Sequence, residues 1–322
     1  MSSLVYNLAE APDEPASVGG KGAALGRLAR SGLPVPAGFV LSAGAFRAFL
    51  DANGLDHAHD GASEDEVAAR FRAASWPDPL RAEIASAYEA LREGAGVVGP
   101  VAVRSSATAE DGSAASFAGQ HATLLNVTSL DGVLESVLEC WASLYRAEAL
   151  HYRETRQVED AGPAMAVVVQ TLVPSDASGV AFTLDPVSGD RDIVVIEAAF
   201  GLGESVVSGV VTPDHFAVRK SDGAIVRREV ATKHLRTSPV EGGGTQDQQL
   251  PPERANAPSL TDGQAVELAR IAAGIEADAG APQDIEWALA EGRFFILQAR
   301  PITAAAAPAA APPPPDEWVS EF

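Results

Sequence analysis

The chain has 322 residues, 46% of them hydrophobic, which is enough for two or three packed units with a sizeable core. Its formal net charge of −21 would repel nucleic acid and anionic lipid over most of the surface. Cys140 is the single cysteine, which excludes a disulfide framework and a thiolate metal cluster.

Residues 1–15 lack the basic and apolar parts of a signal peptide. No run in the sequence reaches the roughly 18 apolar residues that a membrane span needs. Together with the cysteine content, these features predict a soluble protein of the cytoplasm. We expect it to bind neither a membrane nor a nucleic acid.

A short strand is expected over residues 4–8, and residues 19–22, Gly-Gly-Lys-Gly, then open a helix that ends near Gly32. Glycines let backbone amides approach phosphate oxygens, the helix N-terminus adds partial positive charge, and Lys21 supplies a mobile cation. The segment is not a Walker loop, because Pro15 occupies the first glycine position and a glycine follows the lysine. An ordinary turn at the start of a helix is the alternative.

Residues 101–103 predict a buried strand that leads into Arg104, in a loop rich in hydroxyl side chains. Open α/β sheets usually place ligands at the C-terminal ends of their strands, and the planar fork of an arginine matches a phosphate. The alternative is a solvated loop in which Arg104 pairs with Glu110 or Asp111. Residues 116–120, Ser-Phe-Ala-Gly-Gln, suit either a loop over phosphates or an ordinary glycine turn.

Residues 165–173 are an apolar run of strand length, rich in β-branched side chains, which predicts a strand buried on both faces. Its end, from Gln170 to Val173, offers backbone groups to an adenine edge, although many buried strands end in this way. Further along the chain, Glu197 and Glu204 lie near a glycine turn. Both are candidates to accept hydrogen bonds from ribose hydroxyls, and simple surface exposure is the alternative.

Residues 236–258 contain three consecutive glycines, two adjacent prolines and almost no apolar side chains, which predicts a mobile surface loop. Thr261 then begins a capping box at the start of a helix. We expect residues 1–188 to form a first subdomain and residues 189–303 a second. Residues 304–322 read as an Ala/Pro-rich linker or disordered tail.

The last predicted element is a hairpin. If its turn is centred on Gly292, Glu286 faces Gln298 and Asp284 faces Arg300, so all four side chains project from one face. Carboxylate and amide oxygens suit a magnesium ion that carries a triphosphate and keeps several waters. An exposed face with a cross-strand ion pair is the alternative.

Taken in this order, the motifs resemble the N-terminal ATP-grasp nucleotide-binding domain shared by phosphoenolpyruvate synthase, pyruvate phosphate dikinase and rifampin phosphotransferase. The resemblance covers about residues 4–303 and implies an α/β (α+β) fold of two subdomains with the nucleotide cleft between them. It implies that Lys21, Arg104 and Arg300 lie at the ATP phosphates. It also implies that Glu286 and Gln298 bind Mg2+. The candidate nucleotide-binding residues are Gly20, Ser116, Gly119, Gln170, Thr171, Leu172, Val173, Glu197 and Glu204.

In the family that the chain resembles, ATP phosphorylates a histidine on a swivelling domain and AMP is released. The phosphohistidine then passes the group to pyruvate or to a drug hydroxyl. None of the six histidines here has the Thr/Ser- and Gly-rich context of that histidine. The resemblance therefore implies the ATP-consuming part of a dikinase-type phosphotransferase. Its histidine domain would act in trans or lie in a missing C-terminal part, and its final acceptor would be a small molecule.

Two alternatives remain open at this stage. One is an ATP-grasp ligase that forms an acyl phosphate and releases ADP. The other is a nucleotide-binding module without catalytic activity. The nucleotide product, AMP or ADP, distinguishes the dikinase-type phosphotransferase from the ligase. A module without catalytic activity would transfer no phosphoryl group.

Overall fold

The structure is a computed structural model that describes residues 3–56, 62–94, 99–108, 122–145 and 164–302. These residues form a mixed α/β fold with two antiparallel sheets, helices packed against them and a separate two-stranded hairpin. No helix within the described ranges is long and apolar enough to cross a membrane.

The first part of the chain builds a five-stranded sheet and its helices. In chain order the elements are β1 Val5–Asn7, α1 Pro15–Arg30, β2 Gly38–Leu41, α2 Ala43–Asn53, α3 Glu64–Ala73, α4 Asp78–Gly94, β3 Val101–Ala107, β4 Thr123–Val127, α5 Leu130–Ser143 and β5 Met165–Thr171. The strand order is β1-β2-β5-β3-β4, and every pairing is antiparallel. A short 3-10 helix, Leu8–Glu10, separates β1 from α1.

Strand β5 lies at the centre of this sheet and is apolar on both faces, as its composition predicts. Val167 and Val169 point into one core, which the helices α2 to α5 complete. Ala166 and Val168 point the other way, into a second core that contains Leu25 of α1. A strand alternates its side chains between two faces, so two buried faces require an unbroken apolar run.

The second part of the chain builds a six-stranded antiparallel sheet. In chain order its elements are β6 Ala177–Phe182, β7 Ile193–Phe200, α6 Glu204–Val207, β8 Asp214–Arg219, β9 Ile225–Glu229, β10 Leu235–Pro239, β11 Thr245–Gln249, α7 Pro252–Ala255, α8 Asp262–Ala279, β12 Gln283–Ala290 and β13 Arg293–Pro301. The strand order is β13-β12-β6-β7-β8-β9, and β10 pairs only with β11 among the described strands.

The chain passes from the first sheet to the second between Thr171 and Ala177. Residues 188 and 189, where the subdomain boundary is predicted, connect β6 and β7 of one sheet. The core between the sheets and helices α1 and α8 includes Phe216 and Trp287, both fully buried. This shared core joins the two sheets into a single packed unit.

The prediction of a mobile loop over residues 236–258 is wrong. The segment contains the hairpin β10–β11 and the short helix α7. Its sequence gives no strand signal because the hairpin has no continuous apolar face. Backbone pairing and the bond from Thr237 Oγ1 to Asp247 Oδ1 (2.7 Å) hold the two strands together.

Candidate functional site

The pairing predicted for the C-terminal hairpin is confirmed. Asp284 lies opposite Arg300, and Glu286 lies opposite Gln298. Arg300 donates from Nε and Nη2 to Asp284 Oδ2, at 2.9 and 2.8 Å. Trp287 and its neighbours on the opposite face are buried in the core, so the polar side chains share the other face.

The hairpin reaches this register in a different way from the one the sequence suggests. The turn consists of Glu291 and Gly292, whose φ angles of 50° and 73° are both positive, as a two-residue type I′ turn requires. With this turn and regular pairing, Glu286 would lie opposite Leu297 instead of Gln298. A bulge at Leu297 restores the pairing of Glu286 with Gln298, because one extra residue is inserted in β13.

Arg104 of the first sheet meets this polar face. Its Nη2 forms an ion pair with Glu286, and its Nη1 donates to the Leu297 carbonyl at 2.8 Å. The bulge therefore presents the carbonyl that helps to fix the arginine. Arg104 lies in the middle of an antiparallel strand, opposite Val168, which corrects the expectation that it ends a strand of an open α/β sheet. Its partner is an acid from the other sheet.

Several positive charges converge on Glu286. Burial would raise the pKa of this carboxyl, but the charge of Arg104 and its hydrogen bond oppose that effect. The charges of Lys21 and Arg300 act in the same direction as Arg104, and together they hold the pKa below its usual range. Glu286 is therefore ionised at neutral pH. Helix α1, which carries Lys21, packs against β13 of this hairpin.

The neighbouring carboxyl, Asp284, has the opposite shift. Burial raises its pKa, and this effect outweighs the charge and hydrogen bonds of Arg300. The negative charge of Glu286 raises the pKa further. The two acids on this strand therefore have different environments, and Glu286 is the one that favours the charged form.

The glycine segment is fixed against the strand that carries Arg104. Helix α1 is interrupted at Gly19, which has φ 70° and ψ 168°, so a new helical segment starts at Gly20. Ser106 Oγ accepts from the Gly22 N–H at 3.2 Å and donates to the Val18 carbonyl at 3.0 Å. Ser106 thus satisfies one of the backbone donors that a helix start leaves without an intrahelical partner.

We predict that Gly19→Ala lowers the free energy of unfolding by about 2–4 kcal/mol, because the new side chain meets both a strained φ and a collision. A Cβ at this position would lie 2.1 Å from Ser106 Oγ and 2.2 Å from the Ser106 carbonyl oxygen. Urea unfolding measures the loss. Gly32→Ala is the matched control, since Gly32 also has a positive φ, of 77°, but faces open space. Equal losses in both variants would contradict the role of the Ser106 contact.

A cavity of about 370 Å³ lies where the two sheets meet. Its volume is in the range of sites for small molecules and cofactors. Its lining residues are Ala102, Arg104, Thr123, Leu125, Gln170, Thr171, Leu172, Val173, Ser175, Gly179, Leu202, Gly203, Glu204, Val207, Ser208, Glu286, Trp287 and Leu297. An apolar cluster of Val173, Ala288 and Ala290 adjoins it.

Two other cavities of the described region have unsuitable linings for an anion. One, of about 410 Å³, is lined by the acids of α3 and α5, with Arg72 as its one basic lining residue. The other, of about 670 Å³, has Glu83 as its one charged lining residue. The cavity at Arg104 and Glu286 therefore fits a phosphorylated ligand best.

The structure brings together many of the predicted site residues. Those that line the cavity are Arg104, Gln170, Thr171, Leu172, Val173, Glu204 and Glu286. Gln298 lies opposite Glu286, and Lys21 and Arg300 act on Glu286 through their charges. Gly20 is buried at the start of the second segment of α1. Ser116 and Gly119 lie outside the described residues.

Glu197 is a predicted ribose contact that does not line the cavity. It lies on β7, opposite Val180 on one side and His215 on the other. It shares a sheet face with Glu286, since both stand opposite Val180 from the two flanking strands. The cavity lining does not include Glu197.

Sequence reasoning missed several residues of the site. Leu202 and Gly203 line the cavity and belong to the glycine turn beside Glu204, for which the sequence predicts a role of the carboxylate alone. Ser106 stands within the Arg-Ser-Ser motif, where its hydroxyl was a usable signal. The carbonyl of Leu297 depends on a bulge, for which the sequence offers no local pattern.

An arginine and an acid from opposing sheets, two further cations and a cavity beside a buried strand are typical of a site for a nucleoside polyphosphate. Residues 15–317 match the family model described as pyruvate phosphate dikinase, AMP/ATP-binding domain. The chain belongs to this family. The match confirms the resemblance that the motifs of the sequence indicate.

Individual relatives agree with the family. The chain is 44% identical over 299 residues to a rifampicin phosphotransferase of Streptomyces, a match that covers 89% of this chain and 34% of that protein. It is 42% identical over 301 residues to a probable phosphoenolpyruvate synthase of Methanocaldococcus jannaschii, covering 88% of this chain and 25% of that one. It is 41% identical over 290 residues to the prodigiosin synthesizing transferase PigC of Serratia marcescens, covering 90% and 32%.

The chain thus spans between a quarter and about a third of the length of these relatives. Their names refer to different compounds, whereas each shares this domain with the present chain. The shared part is accordingly the AMP/ATP-binding part.

Proposed function

We propose that this chain is the ATP-grasp domain of a dikinase-type phosphotransferase. It would bind Mg·ATP in the cavity between its two sheets, which would correspond to the two subdomains. The bound ATP would phosphorylate a histidine on a separate swivelling domain, with release of AMP. The observation that carries the proposal is the meeting of Arg104 and Glu286, from opposing sheets, in a cavity lined by the predicted adenine strand.

The hairpin residues fit a magnesium ion. Gln298 is 4% exposed, and its Oε1 has no hydrogen-bond partner within the described structure. Such a buried orphan acceptor is costly unless a donor or a cation satisfies it. Glu286 adds an ionised carboxylate. Magnesium that is bound with a triphosphate keeps phosphate oxygens and waters as ligands, so it needs few protein oxygens. When bound, magnesium would neutralise phosphate charge.

Lys21, Arg104 and Arg300 would hold the phosphates. Arg104 already uses Nη1 and Nη2, while its Nε is buried without a partner in the described structure. In the complex, the Arg104 guanidinium would hold phosphate oxygens, and Glu286 would be the carboxylate that holds the metal. Three cations around one triphosphate stabilise charge where it develops in phosphoryl transfer. Ser116 and Gly119 remain predicted contacts of the phosphates.

The adenine would lie along Gln170 to Val173. The N–H groups of Thr171 and Leu172 already donate to the carbonyls of Ala37 (2.8 Å) and Pro100 (2.9 Å). The carbonyl oxygens of this segment would therefore accept from the adenine amino group.

Glu204, which lines the cavity, would accept hydrogen bonds from the ribose hydroxyls. Glu197 remains a second candidate for the ribose, from the same sheet face as Glu286.

The test combines the chain with a detached histidine domain of a relative and with Mg·ATP. We expect phosphohistidine on the added domain and AMP in solution. ADP as the nucleotide product would support the ligase instead, and binding of ATP without transfer would support the non-catalytic module.

In the same assay, Lys21→Ala is expected to lower AMP formation by about 10²-fold, because one phosphate-binding cation is lost. Arg27→Ala is the matched control, since Arg27 is an exposed cation on the same helix. It should keep the full rate of AMP formation. An unchanged rate for Lys21→Ala would remove Lys21 from the site.

A further inference from the structure

The hairpin β10–β11 is clamped to the first sheet at its tip. Asn126 of β4 is 3% exposed and has a left-handed backbone, with φ 60°. Its Nδ2 donates to the carbonyls of Val240 (2.7 Å) and Gly244 (2.6 Å), and its own carbonyl accepts from the Gly244 N–H at 3.3 Å. One residue of the first sheet thus binds the hairpin tip three times.

The body of the same hairpin holds the glycine turn beside β7. The Thr237 carbonyl accepts from the Leu202 N–H at 2.9 Å. Thr245 Oγ1 donates to Glu204 Oε2 at 3.2 Å. Leu202 and Glu204 both line the cavity, so the hairpin fixes one of its walls.

The opposite wall is fixed by the same element. Leu125, the residue before Asn126, lines the cavity from β4. The hairpin residues themselves are not among those that line the cavity. Within the described structure, the hairpin reaches the cavity lining through Asn126 on one side and through Leu202 and Glu204 on the other.

We infer that β10–β11 is a positioning strap for the nucleotide. It holds the two cavity walls at a fixed separation and orients the Glu204 carboxylate toward the ribose. This inference rests on the proposed function. Thr245 uses part of the acceptor capacity of Glu204, and an ionised carboxylate still accepts further hydrogen bonds from a ribose hydroxyl. A carboxylate held in one rotamer loses less conformational entropy when the ligand binds.

The first experiment measures binding of Mg·ATP by calorimetry to Thr245→Val, which keeps the shape of the side chain and removes its hydroxyl. We expect about fivefold weaker binding, the size of one modest hydrogen bond. One of the two analogues 2′-deoxy-ATP and 3′-deoxy-ATP lacks the hydroxyl that would donate a hydrogen bond to Glu204. With that analogue the loss of affinity should vanish. Thr245→Ser should restore the affinity for ATP. A structural defect alone would weaken all three ligands equally.

The control is Gln248→Ala, which removes the bonds from Arg236 to Gln248 (3.1 and 3.3 Å) within the same hairpin. Its affinity for ATP should stay that of the unaltered chain. If the unaltered chain binds Mg·ATP and Thr245→Val binds it equally well, the strap is overturned and the proposed function stands. If the unaltered chain binds no nucleotide, both fall.

The second experiment tests the other wall with Asn126→Gly, which keeps a left-handed backbone accessible and removes the amide. We expect about tenfold weaker binding of ATP and of both deoxy analogues, because the separation of the walls concerns every ligand. Thr128→Ala is the control, since the bond from Thr128 Oγ1 to the Gly242 carbonyl of the hairpin is long, at 3.5 Å. Unchanged affinity in Asn126→Gly would overturn the coupling of the walls.

Discussion

Replacement of Glu286 by glutamine should lower the rate of AMP formation by about 10³-fold, the largest effect on activity that the site predicts. The substitution removes the ionised oxygen that would bind magnesium. It also removes the ion pair of Arg104, because a neutral amide replaces the carboxylate beside the guanidinium. Only neutral amide oxygens, one from Gln298 and one from the introduced amide, would then face the metal.

The measurement is the assay with a detached histidine domain, together with calorimetry of Mg·ATP. Glu229→Gln is the matched control. Glu229 lies on the same sheet as Glu286, but it is exposed on the edge strand β9. A row of cross-strand neighbours, Val180, Glu197 and His215, links the two positions. The same chemical change there should leave activity unaltered. Full activity of Glu286→Gln, in a protein that unfolds at the normal temperature, would contradict the metal assignment.

The polar face of the C-terminal hairpin could be predicted because its parity follows from the sequence alone. Alternation places Glu286 and Asp284 on one face and Trp287 on the other, whatever the exact turn. The bulge at Leu297 could not be predicted, since it compensates for the position of the turn and is stabilised by contacts with the other sheet. The predicted register is therefore right, although the turn and strand geometry behind it differ from the prediction.

The failure over residues 236–258 has a different physical cause. Patterns of apolar residues reveal strands that bury one face, and β10–β11 buries none continuously. Its tip is held by Asn126, which lies more than one hundred residues earlier in the chain. The partner of Arg104 was missed for the same reason, because Glu286 is 182 positions away. Contacts at such separations leave no local signal.

The second large effect concerns stability. Lys233 and Asp214 form an ion pair in which both side chains are 0% exposed. Asp214 Oδ1 also accepts from the Ala231 N–H at 2.9 Å, and its Oδ2 accepts from the N–H and Oγ of Ser259 at 2.6 and 2.7 Å. This one carboxylate therefore ties the start of β8 to two later segments of the chain.

Lys233→Met should lower the free energy of unfolding by about 3–5 kcal/mol, because it leaves a buried carboxylate without its counter-charge. Urea unfolding measures this loss. Arg219→Met is the control on the same strand, β8, since Arg219 and Asp222 form an exposed pair. That substitution should cost less than about 1 kcal/mol.

The pair also stands close to the cavity lined by Arg104 and Glu286. Lys233 Nζ lies 5.5 Å from the ring centroid of Phe200, which immediately precedes the glycine turn that lines the cavity.

In the double variant Asp214→Asn with Lys233→Met, both charges are absent, so the loss of unfolding free energy should be smaller than the sum of the two single losses. Strict additivity would mean that the two groups stabilise the fold independently. Their shared burial argues against that outcome, because each charge is solvated chiefly by the other.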